Sequence, residues 1–145
     1  MLSPKTHGFK WFAGQLNNRY NDFYSILAFK ITMDCIFCKI AQKALPTELL
    51  LDNEHYVAFK DINPQAPTHV LIIPKKHIHS LNNANPDDQN LLGGLLLTAK
   101  ALAKQLGHAD DGYRLVINTG DHGGQTVYHI HLHLIAGKQM HWPPG

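Results

Sequence analysis

The chain has 145 residues, of which 44% are hydrophobic and 17% charged, and carries a net charge of +2. That length fits one domain, and the charge is too small to argue for a nucleic-acid or membrane-surface partner. No apolar run approaches the ~18 residues of a membrane span. The two cysteines, Cys35 and Cys38, form a single CxxC, which argues against a disulfide-stapled secreted scaffold and for a reducing, cytoplasmic setting. Histidine is the outlier, with 11 residues.

Residues 1–32 show no clean period of 2 or 3.6. They hold Lys5, Lys10, Arg19 and Lys30 against Asp22 alone, a balance of +3. One arginine, two serines and no apolar h-region make a weak match to a targeting peptide. The expectation is an N-terminal extension, poorly ordered or not native to the working domain, with Met33 as the start of a domain over 33–145. Residues 35–44 read as a turn and short helix. Residues 48–53 and 55–61 read as strands joined through Asp52 and Asn53. Residues 69–77 read as a third strand, ended by Pro74. The long helix is expected over 85–107, with Asn85 as N-cap, Pro86 at its first position and Gly107 at its end. Leu91, Leu92, Leu95, Leu96, Ala99, Leu102, Ala103 and Leu106 form its apolar stripe. Gly93 and Gly94 within it suggest close approach of another element. Residues 113–120 and 127–137 complete the set as strands four and five. The pattern predicts an α+β domain with a mostly antiparallel five-stranded sheet, one long helix and one short one.

The fifth strand poses the functional question. In "VYHIHLHLIAG" (127–137), His129, His131 and His133 alternate with Ile130, Leu132 and Leu134. Successive strand side chains point to opposite faces, so the apolar set can face a core while the histidines share the other face. Three readings fit: a metal site, nucleophilic or acid–base catalysis on a charged substrate, or a His-rich solvated face. The preceding loop "NTGDHGGQT" (118–126) carries Gly120, Gly123 and Gly124, whose backbone N–H groups can approach an anion closely. Asn118, Gln125 and Thr126 add neutral donors. Beside three histidines this loop reads as a phosphoryl cradle, and imidazole can attack phosphorus to form a covalent phospho-histidine.

From Met33 onward the chain resembles the histidine triad (HIT) family, and its Hint branch in particular. The motifs that carry the likeness are "CIFCKI", "AFKDINPQAPTHVLIIPKKHI", "INTGDHGGQTVYHIHLHLIAGKQM" and "HWPPG". The resemblance implies hydrolysis of purine nucleoside phosphoramidates, with a dinucleoside polyphosphate hydrolase or a purine nucleotide-binding module as alternatives. It implies that His131 is the nucleophile, that His133 contacts the phosphate, that His129 sits behind the nucleophile, and that His69 completes the network. Asp61 matches the acid that binds the ribose hydroxyls. Asn118, Gly124, Gln125 and Thr126 match groups around the phosphate, with Thr126 where the family often has serine. Trp142 matches a tail residue that reaches the partner's site in a homodimer whose sheet runs across both protomers.

A CxxC is half a zinc site and needs two further ligands. The resemblance supplies them as His77 and His129, giving a structural Cys2His2 set; two ordinary buried cysteines or a redox pair are the alternatives. No metal is needed for the chemistry itself. His7, His55, His79, His108, His122 and His141 are expected at the surface.

Overall fold

The structure is a computed structural model that describes residues 23–27 and 34–144. Residues 23–27 are helical and exposed. The expectation for residues 1–32 therefore lies almost entirely outside the described residues. The compact unit from Cys35 onward holds α1 (Ile36–Ala41), β1 (Leu49–Asp52), β2 (Tyr56–Lys60), β3 (Thr68–Pro74), α2 (Gln89–Gln105), β4 (Tyr113–Val116) and β5 (Leu132–Ala136). The five strands form one antiparallel sheet in the order β1-β2-β3-β5-β4. This is the predicted α+β class, with one long and one short helix. No helix among the described residues is long and apolar enough to cross a membrane.

Local chemistry sets the elements. The Asn53 side chain accepts the N–H groups of His55 and Tyr56 at 3.0 and 2.8 Å, which turns β1 into β2. Asn85 begins the long helix as expected, but it caps a 3-10 turn, Pro86–Asp88, through a capping box with Asp88. The α-helix proper starts at Gln89. Gly107 follows its end with a φ of 82°, the left-handed conformation that glycine tolerates.

The sheet has two buried faces. On one, Ala58, Val70, Ile72, Leu132 and Leu134 pack against Leu95, Ala99, Leu102 and Ala103 of α2. On the other, Val57, Phe59, Leu71 and Ile73 pack against Phe37 and Ile40 of α1. Burial on both faces explains why β2 and β3 read as continuous apolar runs. The helix stripe is narrower than predicted: Leu96 is 48% exposed. A Cβ on Gly94 would collide with the Tyr56 hydroxyl, which donates to the Leu91 carbonyl at 2.6 Å. Close approach is therefore real at Gly94, whereas Gly93 faces open space.

The histidine strand is shorter than predicted. Only residues 132–136 join the ladder, so His133 alone of the triad lies in β5. The pairing Ile72↔Leu132 would next bring Pro74 opposite Ile130, and proline offers no N–H. The Ile130 N–H goes instead to the Ile78 carbonyl at 2.7 Å. Alternation nevertheless survives: Ile130, Leu132 and Leu134 are in the α2-side core. His131 and His129 meet Phe37 on the α1 side, and His133 pairs with Leu71 of that same face.

Candidate active site and metal centre

Four donors converge where α1 begins. The Sγ atoms of Cys35 and Cys38 and the Nδ1 atoms of His77 and His129 all lie within 4.8 Å of one another. Cys38 Sγ is 3.2 Å from His77 Nδ1 and 3.5 Å from His129 Nδ1, Cys35 Sγ is 3.6 Å from His129 Nδ1, and the two nitrogens are 3.2 Å apart. A tetrahedron with bonds of about 2.3 Å to sulfur and 2.0–2.1 Å to nitrogen has N–N and N–S edges of roughly 3.3–3.6 Å. The cluster already has those edges.

Its protonation fits the same purpose. His129 is fully buried, and its Nε2–H donates to the Pro74 carbonyl at 2.8 Å, which leaves the Nδ1 lone pair inside the cluster. Burial lowers its pKa to about 4, against the pull of that hydrogen bond. Burial, and then His79, lower His77 as well. Burial and the neighbouring Cys35 push the Cys38 thiol up to about 12. Two imidazoles held neutral and two cysteine sulfurs that converge on one point are the donor types of a Cys2His2 metal site, in which a bound cation would ionise the thiols. The segment that carries His77 is pinned from the 3-10 turn that leads into α2. Lys76 Nζ meets the buried Asp88 carboxylate at 2.6 Å, and Asp88 also accepts the Asn85 N–H at 3.0 Å. Those two contacts, the lysine first, hold the Asp88 carboxyl below the usual range.

The catalytic candidates lie beside this cluster. His131 donates its Nδ1–H to the His129 carbonyl at 2.8 Å, so its lone pair is on Nε2. Its ring centroid is 5.0 Å from that of His133. His69 Nδ1 accepts the Gln65 N–H at 3.1 Å, which places the His69 proton on Nε2. That nitrogen is 2.9 Å from His133 Nδ1 and 3.3 Å from Asp61 Oδ2. His133 Nδ1 is then an acceptor, and His133 carries its proton on Nε2. Among the described residues, His133 Nε2 is the buried side-chain polar atom without a partner. Burial first, then His131 and His69, lower the His133 pKa to about 4, against the pull of Asp61. His133 is therefore a neutral imidazole whose Nε2–H is left without a protein acceptor.

The glycine loop is braced from within. Gln125 is buried; its Oε1 accepts the Gly120 N–H at 3.0 Å, and its Nε2 donates to the carbonyls of His79 and Val127 at 2.8 and 3.1 Å. Gln125 spends its polar atoms on the loop's shape. Asn118 Nδ2 lies 4.0 Å from where a Gly124 Cβ would stand, Gly124 has a φ of 77°, and Thr126 is exposed. Tyr128 donates to Asp121 across the loop's base and stacks on His79 at 4.5 Å. Trp142 is 84% exposed, on a tail held to β4 by Arg114, which donates to the His141 carbonyl at 2.6 Å. Among the histidines expected at the surface, His55, His79, His122 and His141 are exposed. His108 is a correction: it is half-buried, 2.8 Å from the Thr68 hydroxyl, because Gly107 turns it back onto the start of β3. His7 lies outside the described residues.

An antiparallel five-stranded α+β domain with alternating histidines beside a glycine loop defines a recognisable class of small proteins. The HIT domain family matches residues 42–140, and the chain belongs to that family. An uncharacterized HIT-like protein of Synechococcus elongatus is 51% identical over 112 residues, 77% of this chain and 97% of that one. The crystal structure of a HIT family hydrolase from Legionella pneumophila is 55% identical, with a TM-score of 0.76, and the match covers 77% of this chain and all of that one. A zinc-bound histidine triad family protein from Mycobacterium smegmatis is 31% identical, with a TM-score of 0.63 and coverage of 74% and 77%. The fold is that of HIT-family hydrolases.

The two depressed histidines make stability pH-dependent in the metal-free protein. Their folded pKa of about 4 lies below the ordinary value of 6.5, so the unfolded chain binds more protons between those limits. Their contribution is complete above pH ~6.5 and is lost as pH falls toward 4. Urea midpoints measured from pH 7.5 to 4.5 should fall with acidification, and His133→Gln should flatten the curve. A flat wild-type profile would contradict the assigned neutral forms.

Proposed function

We propose that the protein hydrolyses purine nucleoside phosphoramidates, as the Hint-like motifs imply, through a nucleotidyl-His131 intermediate. The observation that carries this reading is the fixed His131 tautomer: Nδ1–H is committed to the His129 carbonyl, and Nε2 is left nucleophilic. His131 Nε2 attacks phosphorus, the P–N bond breaks as the nitrogen takes up a proton, and water then cleaves the His131–phosphorus bond to release the nucleoside monophosphate. His133 Nε2–H supplies a hydrogen bond to a non-bridging oxygen, oriented by His69. Asp61 serves the ribose hydroxyls, and Asn118, Gly124 and Thr126 serve the phosphate, on a loop that Gln125 shapes. Cys35, Cys38, His77 and His129 would hold zinc, whose part is to anchor α1 and the triad segment. A dinucleoside polyphosphate hydrolase would use the same covalent step. Parallel assays on an adenosine phosphoramidate and a diadenosine polyphosphate decide between them: the account expects preference for the amide, and the reverse ranking would overturn it.

The reading includes a cytoplasmic homodimer. Among the described residues β4 pairs with β5 alone and so forms a sheet edge, which pairing across a two-fold axis would cover. The exposed Trp142, followed by Pro143 and Pro144, then serves the partner's leaving-group side. Deleting residues 140–145 should reorder amine leaving groups more than it alters affinity for AMP. An unchanged ranking would deny the tail that role, and a monomer in sedimentation at micromolar concentration would deny the dimer.

We also propose that residues 1–32 are dispensable, since every motif lies downstream of them. A chain begun at Met33 should fold and keep wild-type turnover. Loss of folding in that chain would show that the segment packs on the domain.

A further inference from the structure

The metal cluster and His131 share a neighbour that the sequence motifs did not single out. Phe37 stands between the two cysteines, on α1, and is 6% exposed. Its ring meets His131 edge-on at 5.2 Å and 79°, and His129 at 6.1 Å and 75°. Phe59 supports it from behind at 5.6 Å. The His131 ring is itself held by one hydrogen bond, at Nδ1. One bond leaves a ring free to pivot about that contact, and a wall of packed carbon removes the freedom. The wall is only as fixed as its helix. α1 has six residues and no side-chain N-cap bond, so it is too short to hold itself. Its place depends on the burial of Phe37 and Ile40 and on the gathering of Cys35 and Cys38 with His77 and His129.

We propose that Phe37 is a positioning residue that transmits the order of the Cys2His2 cluster to the His131 ring and so fixes the direction of its Nε2 lone pair. The inference rests on the readings of His131 as nucleophile and of the four donors as a metal site. It differs from both in making an apolar side chain the link between them. A displacement of about 1 Å at a reacting group can cost on the order of 10²-fold in rate, so loosening this wall should appear in kcat before it appears in binding.

The test uses the full-length, zinc-loaded protein labelled with 15N-histidine. Phe37→Leu should keep one zinc per chain, yet broaden or double the His131 ring signals and lower kcat on an adenosine phosphoramidate about tenfold or more, with KM changed less. Leu102→Ala removes comparable apolar bulk from the cluster on the other face of the sheet, away from Phe37 and His131, and should leave both readouts near wild type. Wild-type His131 signals and kcat in loaded Phe37→Leu would overturn the proposal. So would a Leu102→Ala variant that reproduces every Phe37→Leu effect. Should Phe37→Leu fail to fold or to hold zinc, Phe37→Met and chelator-stripped wild type replace it. Doubled His131 signals in the stripped protein then support the link, and unchanged ones refute it. If the loaded wild type does not turn over phosphoramidates, the proposed function fails, while the His131 spectra still decide the positioning role.

Discussion

His131→Ala is expected to lower turnover of an adenosine phosphoramidate by on the order of 10⁴-fold or more, the scale seen when a nucleophile that acts as part of a unit is removed. No neighbour can take its place. His129 has Nε2 on the Pro74 carbonyl and Nδ1 in the Cys2His2 cluster, and His133 has Nδ1 on His69. Affinity for AMP should change little, because the contacts proposed for phosphate and ribose lie on other residues. His131 is 4% exposed and packs on Phe37, so the variant should also lose about 1–3 kcal/mol of stability. Activity must therefore be compared well below both unfolding transitions. Residual turnover within tenfold of wild type would place the nucleophile elsewhere.

The second large effect concerns the metal. Protein purified without added metal should contain one zinc per chain. Cys35→Ser and His77→Ala should each lose it and lower the melting temperature by about 10 °C or more, because metal binding free energy appears as folding free energy. The chain makes this cost large. The cluster joins the start of α1 to a segment more than 90 residues later, through Cys35 and His129. It also leaves, once emptied, a buried thiol and a buried imidazole facing a half-buried thiol and a half-buried imidazole. Elemental analysis with calorimetry checks both parts. Metal-free protein of full stability would show that the four donors are an ordinary polar cluster.

Much of the fold was legible because its signals are local. The Asn53 turn, the Asn85 start and the Gly107 end are each set by chemistry within a few residues. Alternation put the three histidines on one face, and that held even where the ladder did not. The end of the ladder was not legible, because it depends on Pro74 facing Ile130 from a strand more than 50 residues away. The breadth of the helix stripe failed at Leu96 for the same reason: which side of a helix is covered is decided by the sheet beneath it. His108 read as a surface residue because nothing in its neighbourhood names Thr68 as its partner. Motif and resemblance singled out the site residues, but not the groups that set their protons. The Gln65 N–H and the Pro74 carbonyl are backbone atoms, and no side-chain pattern reports them. Phe37 left one signal, an aromatic residue between two cysteines, which means nothing until its ring is seen against His131.

The central claim is a covalent bond between His131 and phosphorus. Acid-quenching the enzyme within milliseconds of mixing with an adenosine phosphoramidate, followed by peptide mass spectrometry, tests it directly. The account predicts an adenylyl adduct on the peptide containing residues 127–137, assigned by fragmentation to His131 and absent from His131→Ala. An adduct on another residue, or complete turnover with no adduct at any quench time, would contradict it.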